Sequence, residues 1–503
     1  MSDTNKEKDS LAQTVAQGTI YITAAKFYFI VSSYAIYFAL PRLISAELFG
    51  IYGFVISIVS IINVVLVTGT QQTVSKFVSQ DYRHADSVKY QALKLQVFVA
   101  GIITLIYFFS APLLARSFND PALTRPLQIS ALIPLFYSFY AVYVGYLNGQ
   151  KKFVRQSILD ITYSTLKAGG IILLAVLTTS VDGAILGFGI AVIVVFLFSP
   201  FVAGKAVNQQ TDHKPSVSAF LRFQSELLGA ILVSNLLQRA DLILIKKYIS
   251  SDSVTANQMA GYYTALMTIA GVTYQAIVSA AFIIFPIISQ ASFEQQTEAM
   301  KGYIRQTTKY TLMLMALSAT VFSANAPVVL EILYRKEYAI GAPALAIAAY
   351  GLLFFGLIYI LTTIISSSGK PRVSLLVGGA TLIASVLLNI FLIPKFGLVG
   401  AAAATTIAMF IGVILASSYI YHSFKACFDI KSTISTVLAA ASMYLVASVL
   451  PTNIINIATG KLAILINFAF QAGIQTTVYL VILILTREIG LKEVNLIRKV
   501  IKI

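Results

Sequence analysis

The chain contains two copies of one sequence pattern, separated by about 211 of its 503 residues. One copy is ELFGIYGFVISIVSIINVVLVTGTQQTVSKFVSQ (residues 47–80), and the other is QMAGYYTALMTIAGVTYQAIVSAAFIIFPIISQ (residues 258–290). The alignment places Gly50 on Gly261. Many secondary transporters are built from two such repeats, and their binding site lies between the repeats near the middle of the membrane. The repeat therefore predicts a transporter whose site is shared by two similar halves.

The composition predicts an all-α polytopic membrane protein. Hydrophobic residues make up 58% of the chain and charged residues 11%, whereas a soluble domain carries about 25% charged residues. Apolar runs long enough to cross a bilayer as helices recur along nearly the whole sequence. They lack the alternation of apolar and polar residues that is typical of transmembrane barrel strands.

Basic residues predict the orientation of these helices. We expect about fourteen transmembrane helices, near residues 15–40, 48–69, 92–115, 127–148, 157–178, 183–204, 219–245, 261–288, 307–333, 341–366, 373–394, 397–421, 434–451 and 461–486. With a cytoplasmic N-terminus, the inner segments hold 24 Lys and Arg residues and the outer loops hold 9. Because cytoplasmic loops carry the excess of basic residues, this topology places both termini in the cytoplasm.

Each copy of the repeat is predicted to span six helices. An even number gives the two halves the same orientation, so the repeats are parallel and related by an axis along the membrane normal. We expect a six-helix lobe over residues 1–204, a cytoplasmic linker over 205–218 and a second six-helix lobe over 219–425. Residues 426–503 then supply two additional helices and a basic C-terminal tail.

The sequence argues against several classes of chemistry. One cysteine (Cys427) and three histidines offer no metal-ligand spacing, and the phosphate-binding pattern G-x-x-x-x-G-K-[ST] is absent. We therefore predict no metal, no cofactor, no catalytic residue and no enzyme activity, with transport driven by an ion gradient or by the gradient of the substrate. The net charge of +16 lies in short inner loops, as at a cytoplasmic membrane face, which argues against a nucleic acid partner.

Several stretches carry a resemblance to a known superfamily. They are LISAELFGIYGF, NLLQRADLILIKKYIS, MAGYYTALMTI, SAAFIIFPIISQ, and SSSGKPR followed by LNIFLIPKFGLVGAAAATTIA. With fourteen helices arranged as six, six and two, the chain resembles the multidrug/oligosaccharidyl-lipid/polysaccharide exporter (MOP) superfamily. Within it, the chain most resembles the polysaccharide transporters that include the O-antigen flippases. The resemblance covers about residues 12–425.

The resemblance implies a function and a set of partners. It implies a flippase that moves a polyprenyl-(pyro)phosphate-linked oligosaccharide from the inner to the outer leaflet of a prokaryotic plasma membrane by alternating access. The implied partners are the lipid-linked oligosaccharide, membrane lipids and the glycan polymerase or assembly proteins that use the exported product in surface polysaccharide biosynthesis. The stretches that carry the resemblance consist of glycines, aromatic residues and apolar residues, so they identify the superfamily better than the substrate.

Three cations within predicted helices are candidates for binding phosphate: Lys26 and Lys167 near the middle of the membrane, and Arg239 about 10 Å from the outer interface. A charge at the centre of a bilayer costs about 2.5–3.5 kcal/mol by insertion scales, so each of them should face a cavity or a partner. Lys26 and Arg239 fall near equivalent places in the two halves, and the guanidinium of an arginine can bind phosphate through two hydrogen bonds. The alternative explanation is that each side chain extends to the membrane surface or pairs with a carboxylate.

Polar residues supply the other candidates. Asn63 and Gln275 fall at nearly equivalent positions of the two repeats and are candidates for binding sugar hydroxyls. Hydrogen bonds between packed helices explain such amides about as well. Asp241 is a candidate for ion coupling, although pairing with another helix is the simpler interpretation of a buried carboxylate.

Other functions fit the sequence less well. A cation-coupled multidrug antiporter of the same superfamily would need deep carboxylates, whereas the deepest charges here are positive. A membrane enzyme that polymerises or ligates glycans would need larger outer loops. A scaffold without transport activity and a peptidoglycan-precursor flippase also remain open.

Overall fold

The computed structural model describes residues 2–204, 216–294, 297–451 and 460–490. Over these residues the chain forms helices joined by short turns, with no β-strand, which confirms the predicted all-α class. The helices are α1 (Ser2–Leu43), α2 (Ala46–Asn63), α3 (Gly69–Gln80), α4 (Ala85–Ser117), α5 (Thr124–Ser130), α6 (Leu132–Gly149), α7 (Phe153–Thr178), α8 (Val181–Ala203), α9 (Val217–Tyr248), α10 (Ser253–Phe293), α11 (Thr297–Ala324), α12 (Ala326–Leu333), α13 (Ala342–Ser367), α14 (Pro371–Phe424), α15 (Ile430–Val449) and α16 (Lys461–Leu485).

The structure gives a number of candidate membrane crossings that differs from the predicted fourteen. Among the described residues, eleven helices are long and apolar enough to cross a membrane, or twelve if the bent pair of α11 and α12 forms one span. Two predicted helices fall in the 54 residues of α14, on either side of Gly397, whose φ of 56° and ψ of −132° interrupt the helix. α10 covers a further predicted helix but is not among the eleven. The predicted total of fourteen is therefore not confirmed.

Contacts between helices define two compact units, residues 1–261 and 262–503. In the first unit α7 packs on α1 and α8, α6 packs on α3 and α8, and α9 lies against α2 and α3. In the second unit α13 packs on α11 and α14, and α15 and α16 pack on each other and on α11. The boundary falls inside α10, so the units differ from the predicted lobes, which stay a prediction. Residues 205–215 of the predicted linker lie outside the described residues.

The two glycines of the repeat meet inside the first unit. A methyl group added to Gly50 would lie 1.8 Å from the main-chain oxygen of Asn257, and one added to Gly261 would lie 2.1 Å from that of Ala46. Under the offset of 211 residues, Ala46 corresponds to Asn257. α2 and the start of α10 therefore cross in a symmetric contact. At both glycine positions this contact leaves room for a hydrogen atom but not for a side chain.

A π-helical turn at Val64–Thr68 follows α2. Such a turn leaves main-chain carbonyls without their usual helical partners, and two glutamine side chains bind them. Gln96 of α4 donates to the carbonyl of Leu66 (3.1 Å), and Gln224 of α9 donates to that of Val65 (3.1 Å). The turn changes the direction of the side chains that follow it and joins α2 to α4 and α9.

The last two helices are held to α11 by polar contacts. The Tyr479 hydroxyl donates to the carbonyl of Met313 (2.8 Å), and Lys309 Nζ lies 2.9 Å from a carboxylate oxygen of Glu488. Ser432, at the start of α15, also donates to Glu488 (2.5 Å). The contacts attach the two additional helices to the second unit at specific positions.

Candidate functional site

Lys167 lies in the middle of α7 and is surrounded by aromatic rings. Its ammonium is 5.1 Å from the ring centre of Phe188, 5.2 Å from that of Phe29 and 5.9 Å from that of Tyr163. Ring faces attract a cation by about 0.5–2 kcal/mol but do not neutralise its charge. Lys167 is half-buried and makes no ion pair within the part of the chain that the structure describes. Its positive charge is therefore held in place without a counterion.

Arg239 supplies a second cation close to Lys167. It lies on α9, is half-buried, and its charge acts electrostatically on Lys167. Its Nε is buried without a hydrogen-bond acceptor, and no carboxylate of the described residues pairs with it. Two like charges near each other inside a membrane destabilise the empty site, whereas an anion between them relieves the repulsion. The pair therefore has the chemistry of a site for a dianionic group.

Lys26 occupies a different level of the first unit. It lies on an exposed face of α1, and its charge acts on the carboxylate of Asp160. Asp160 also accepts a hydrogen bond from the Tyr140 hydroxyl (2.7 Å). Because Asp160 precedes Lys167 by seven residues of α7, the two lie about 10 Å apart along the helix. The structure thus brings two of the three predicted cations together and places Lys26 beside a carboxylate.

Amide side chains lie on α2 and α9 next to this cation pair. Asn235, one helical turn before Arg239, donates to the hydroxyl of Ser60 (3.1 Å). Asn63 is one turn beyond Ser60 on α2. The side-chain oxygens of both asparagines are buried without a hydrogen-bond donor. Buried oxygen atoms without a hydrogen-bond donor favour a ligand that carries hydroxyl or amide donors.

Asp241 and Gln275 are the two remaining candidate residues. Asp241 is 1% exposed, and its carboxylate accepts a hydrogen bond from the main-chain N–H of Leu242 (2.8 Å). It is about 200° around α9 from Arg239, so the two side chains point in different directions. Gln275 is half-buried on α10 in the second unit, beside Tyr274. The predicted roles of both residues stay predictions.

The aromatic rings around Lys167 are the part of the site that the sequence analysis missed. Tyr163 precedes Lys167 by four residues, which puts the two on one face of α7 and is a signal that the sequence contains. Phe29 and Phe188 come from α1 and α8, and their positions depend on helix packing. Among the described residues, no group of three or more His, Cys, Asp or Glu side chains is arranged to hold a metal ion.

Comparison with known families identifies the chain. The family model described as "Polysaccharide biosynthesis protein" matches residues 39–341, which is more than half of the sequence. The chain belongs to this family. The capsular polysaccharide biosynthesis protein CapF of Staphylococcus aureus is 35% identical over 99 residues, which cover 20% of this chain and 24% of CapF. The uncharacterized membrane protein MJ1068 of Methanocaldococcus jannaschii is 28% identical over 157 residues, and the match spans 31% of each protein.

Solved structures share the fold of this family member. Lipid II flippase MurJ in an inward closed conformation superposes with a TM-score of 0.72 at 16% identity, over 94% of this chain and 99% of MurJ. An inward-facing multidrug resistance MATE family transporter of the MOP superfamily gives a TM-score of 0.64 at 16% identity, over 80% of this chain and 95% of the transporter. The chain therefore shares its fold with MurJ and with this MATE transporter, and the resemblance seen in the sequence is confirmed.

Proposed function

We propose that the protein is a flippase that moves a polyprenyl-(pyro)phosphate-linked oligosaccharide from the inner to the outer leaflet of the plasma membrane. The observation that carries this proposal is the pair of Lys167 and Arg239, two neighbouring cations that make no ion pair with a described carboxylate. Such a pair suits an anion of charge about −2, and the lipid-linked sugars used in polysaccharide biosynthesis carry this charge at their phosphates. Membership of the polysaccharide biosynthesis family supports the same class of substrate.

The chemistry of the substrate gives each candidate residue a role. Arg239 binds phosphate through its planar guanidinium, and Lys167 contributes a point charge that the aromatic rings hold in position. Lys26, whose charge acts on Asp160 about 10 Å along α7 from Lys167, attracts the phosphate at an earlier stage of the path. Asn63 and Asn235 accept hydrogen bonds from sugar hydroxyls, and Gln275 of α10 is a further candidate for binding them. No covalent intermediate is formed, so the protein acts as a transporter and not as an enzyme.

The proposal extends to topology and partners. Both termini lie in the cytoplasm, as the excess of basic residues in the inner segments supports. The protein delivers its substrate to polymerase or assembly proteins that act on the outer side in surface polysaccharide biosynthesis. Transport proceeds by alternating access, with Asp241 as the residue that couples it to an ion.

A multidrug antiporter is the second candidate, and two observations favour it. The MATE structures share the fold, and Asp241 is a fully buried carboxylate of the kind that binds a cationic substrate or a coupling ion. The cation pair of Lys167 and Arg239 argues against it, because these side chains repel cationic drugs.

Translocation in proteoliposomes tests the proposal. Vesicles that contain the protein are given either a fluorescent polyprenyl-pyrophosphate oligosaccharide or a fluorescent cationic drug, and vesicles without protein serve as the control. We expect the lipid-linked sugar to become accessible to an added quencher in the protein-containing vesicles alone, and the drug to be retained equally by both. Gradient-driven movement of the drug without movement of the lipid-linked sugar would favour the antiporter.

A further inference from the structure

A fully buried ion pair lies at one end of the first unit, away from the proposed phosphate site. Lys246 Nζ is 2.6 Å from Asp120 Oδ2. Asn257 donates to the same carboxylate oxygen from its Nδ2 (2.8 Å) and accepts a hydrogen bond from Lys246 at its Oδ1. The three residues, which we call the Lys246 cluster, are each no more than 2% exposed.

The Lys246 cluster joins helices from the two copies of the repeat. Asp120 follows α4, which belongs to the first copy. Lys246 lies in the last turn of α9 and Asn257 near the start of α10, and these helices belong to the second copy. The carbonyl of Asn257 is also the group that lies against Gly50. The cluster and the crossing of the two glycines therefore close the same end of the first unit.

This end faces outward in the predicted topology. α1, α4 and α9 all end here, and each runs from the inner to the outer side if the N-terminus is cytoplasmic. Arg239 lies seven residues before Lys246 on α9, which is about 10 Å deeper along the helix. The Lys246 cluster thus lies between the proposed phosphate site and the outer surface.

A charged contact suits a seal that has to open repeatedly. Inside the protein the charges of Lys246 and Asp120 are balanced by each other, and in water each is balanced by hydration, so both states are satisfied. Two further carboxylates, the half-buried Glu47 and the exposed Asp252, also act on Lys246 and offer it other partners once the pair separates. An apolar seal would instead expose hydrophobic surface to water each time it opened.

We infer that the Lys246 cluster is the outer gate of the transport path, closed in this structure, and that it opens to release the headgroup outward. This inference rests on the proposed transport function. The gate opens when Lys246 separates from Asp120 and both become hydrated. Closing restores the buried pair and directs the site to the inner side.

Cysteine accessibility tests the gate without any substrate. The only cysteine, Cys427, is replaced by serine, and Ala256, which is 2% exposed and adjacent to Asn257, is replaced by cysteine as the reporter. A membrane-impermeant thiol reagent is added to the outside of intact cells, and the labelling rate is measured. The exposed residue Ser251, replaced by cysteine in a parallel protein, gives the rate for free access.

Removing one charge should open the gate. Lys246→Met leaves the carboxylate of Asp120 buried without its cation, which strongly favours separation of the helices, so labelling should rise by at least about tenfold. The double variant Lys246→Met/Asp120→Leu removes both charges, so labelling should return to the parent rate while transport falls because the apolar seal opens poorly. Arg83→Met is the matched control. It breaks the exposed ion pair between Arg83 and Asp81 (3.0 Å), in the turn before α4, and should not change labelling.

Two results would overturn the inference. Labelling of Lys246→Met at the parent rate shows that the pair does not hold the end closed, and equal labelling of the single and double variants shows that the pair only stabilises the fold. If Lys246→Met fails to accumulate in the membrane, Asn257→Leu, which keeps the ion pair and removes its amide, should raise labelling by a smaller factor. Normal gating in a protein that moves no lipid-linked sugar rejects the proposed substrate and keeps the gate.

Discussion

Gly50 and Gly261, equivalent residues of the two repeats, lie against each other where α2 crosses α10. A methyl group on Gly50 would come within 2.8 Å of the main-chain nitrogen of Gly261 as well as 1.8 Å from the oxygen of Asn257. The reverse contact, from Gly261 to the Ala46 oxygen, has the same form. The repeat that is visible in the sequence is therefore also a symmetric contact in the structure.

Alanine at either glycine should disrupt this crossing. The added methyl would overlap main-chain atoms, which cannot move as a side-chain tip can, so Gly50→Ala and Gly261→Ala should each destabilise the protein by at least about 1–3 kcal/mol. Gly101→Ala is the control, since its added methyl meets no atom within 4 Å and should slightly stabilise α4. Thermal unfolding in detergent measures all three, and an unchanged midpoint for Gly50→Ala would contradict the contact.

Asn63→Leu should weaken transport of the sugar without weakening the fold. The Asn63 side-chain oxygen is buried without a donor, so an apolar residue of similar size removes an unsatisfied group. Loss of one hydrogen bond to the glycan should slow translocation by about two- to tenfold. A fluorescent polyprenyl phosphate that lacks the glycan should move at the wild-type rate, and an equal loss for both substrates would place Asn63 outside a sugar subsite.

Asp241→Asn tests the proposed coupling residue. Asparagine has the shape of aspartate but cannot take up a proton or balance a bound cation. The variant should still exchange substrate between leaflets in the absence of a gradient, and it should no longer respond to an imposed proton or sodium gradient. A wild-type response to both gradients would assign coupling to another residue.

Glu488 should make the attachment of the last two helices sensitive to acid. Burial alone would raise the pKa of this carboxyl, but the hydrogen bond from Ser432 and the charge of Lys309 outweigh it and lower the pKa. A lowered pKa means that the stabilisation is present above the pKa of the unfolded chain, about 4.3, and is lost as the pH falls through the folded value.

Glu488→Gln is the variant that isolates this contribution. It should lower stability by about 1–3 kcal/mol near neutral pH, because a charged hydrogen-bonded group is lost. The wild type and the variant should converge as the pH falls below about 4. Thermal unfolding at several pH values measures the difference, and a constant difference at all of them would assign the stabilisation to another interaction.

Hydropathy predicted the helices well because an apolar run long enough to cross a membrane is compatible with few structures other than a transmembrane helix. It also predicted the interruption between residues 394 and 397, where Gly397 adopts a positive φ. Position along the predicted helices also identified Lys167 and Arg239 as cations within membrane-spanning segments from sequence alone.

The side of a helix on which a residue lies was harder to predict. α1 and α7 are apolar on most faces, so their hydropathy does not fix the direction of Lys26 or Lys167. The π-helical turn at Val64–Thr68 changes the direction of the residues that follow it, and no simple sequence rule marks such a turn. The electrostatic effect of Lys26 on Asp160 and the rings from three helices around Lys167 therefore emerged only from the packed structure.

Translocation of a fluorescent polyprenyl-pyrophosphate oligosaccharide by Lys167→Ala and Arg239→Ala, beside the wild type, is the most direct test of the phosphate site. Each variant loses a charge-assisted contact, so we predict that translocation falls by about ten- to a hundredfold. Arg125→Ala, whose side chain is 80% exposed, should translocate like the wild type and controls for a general effect of lost charge. Wild-type rates in both Lys167→Ala and Arg239→Ala, with normal amounts of folded protein, would contradict the account.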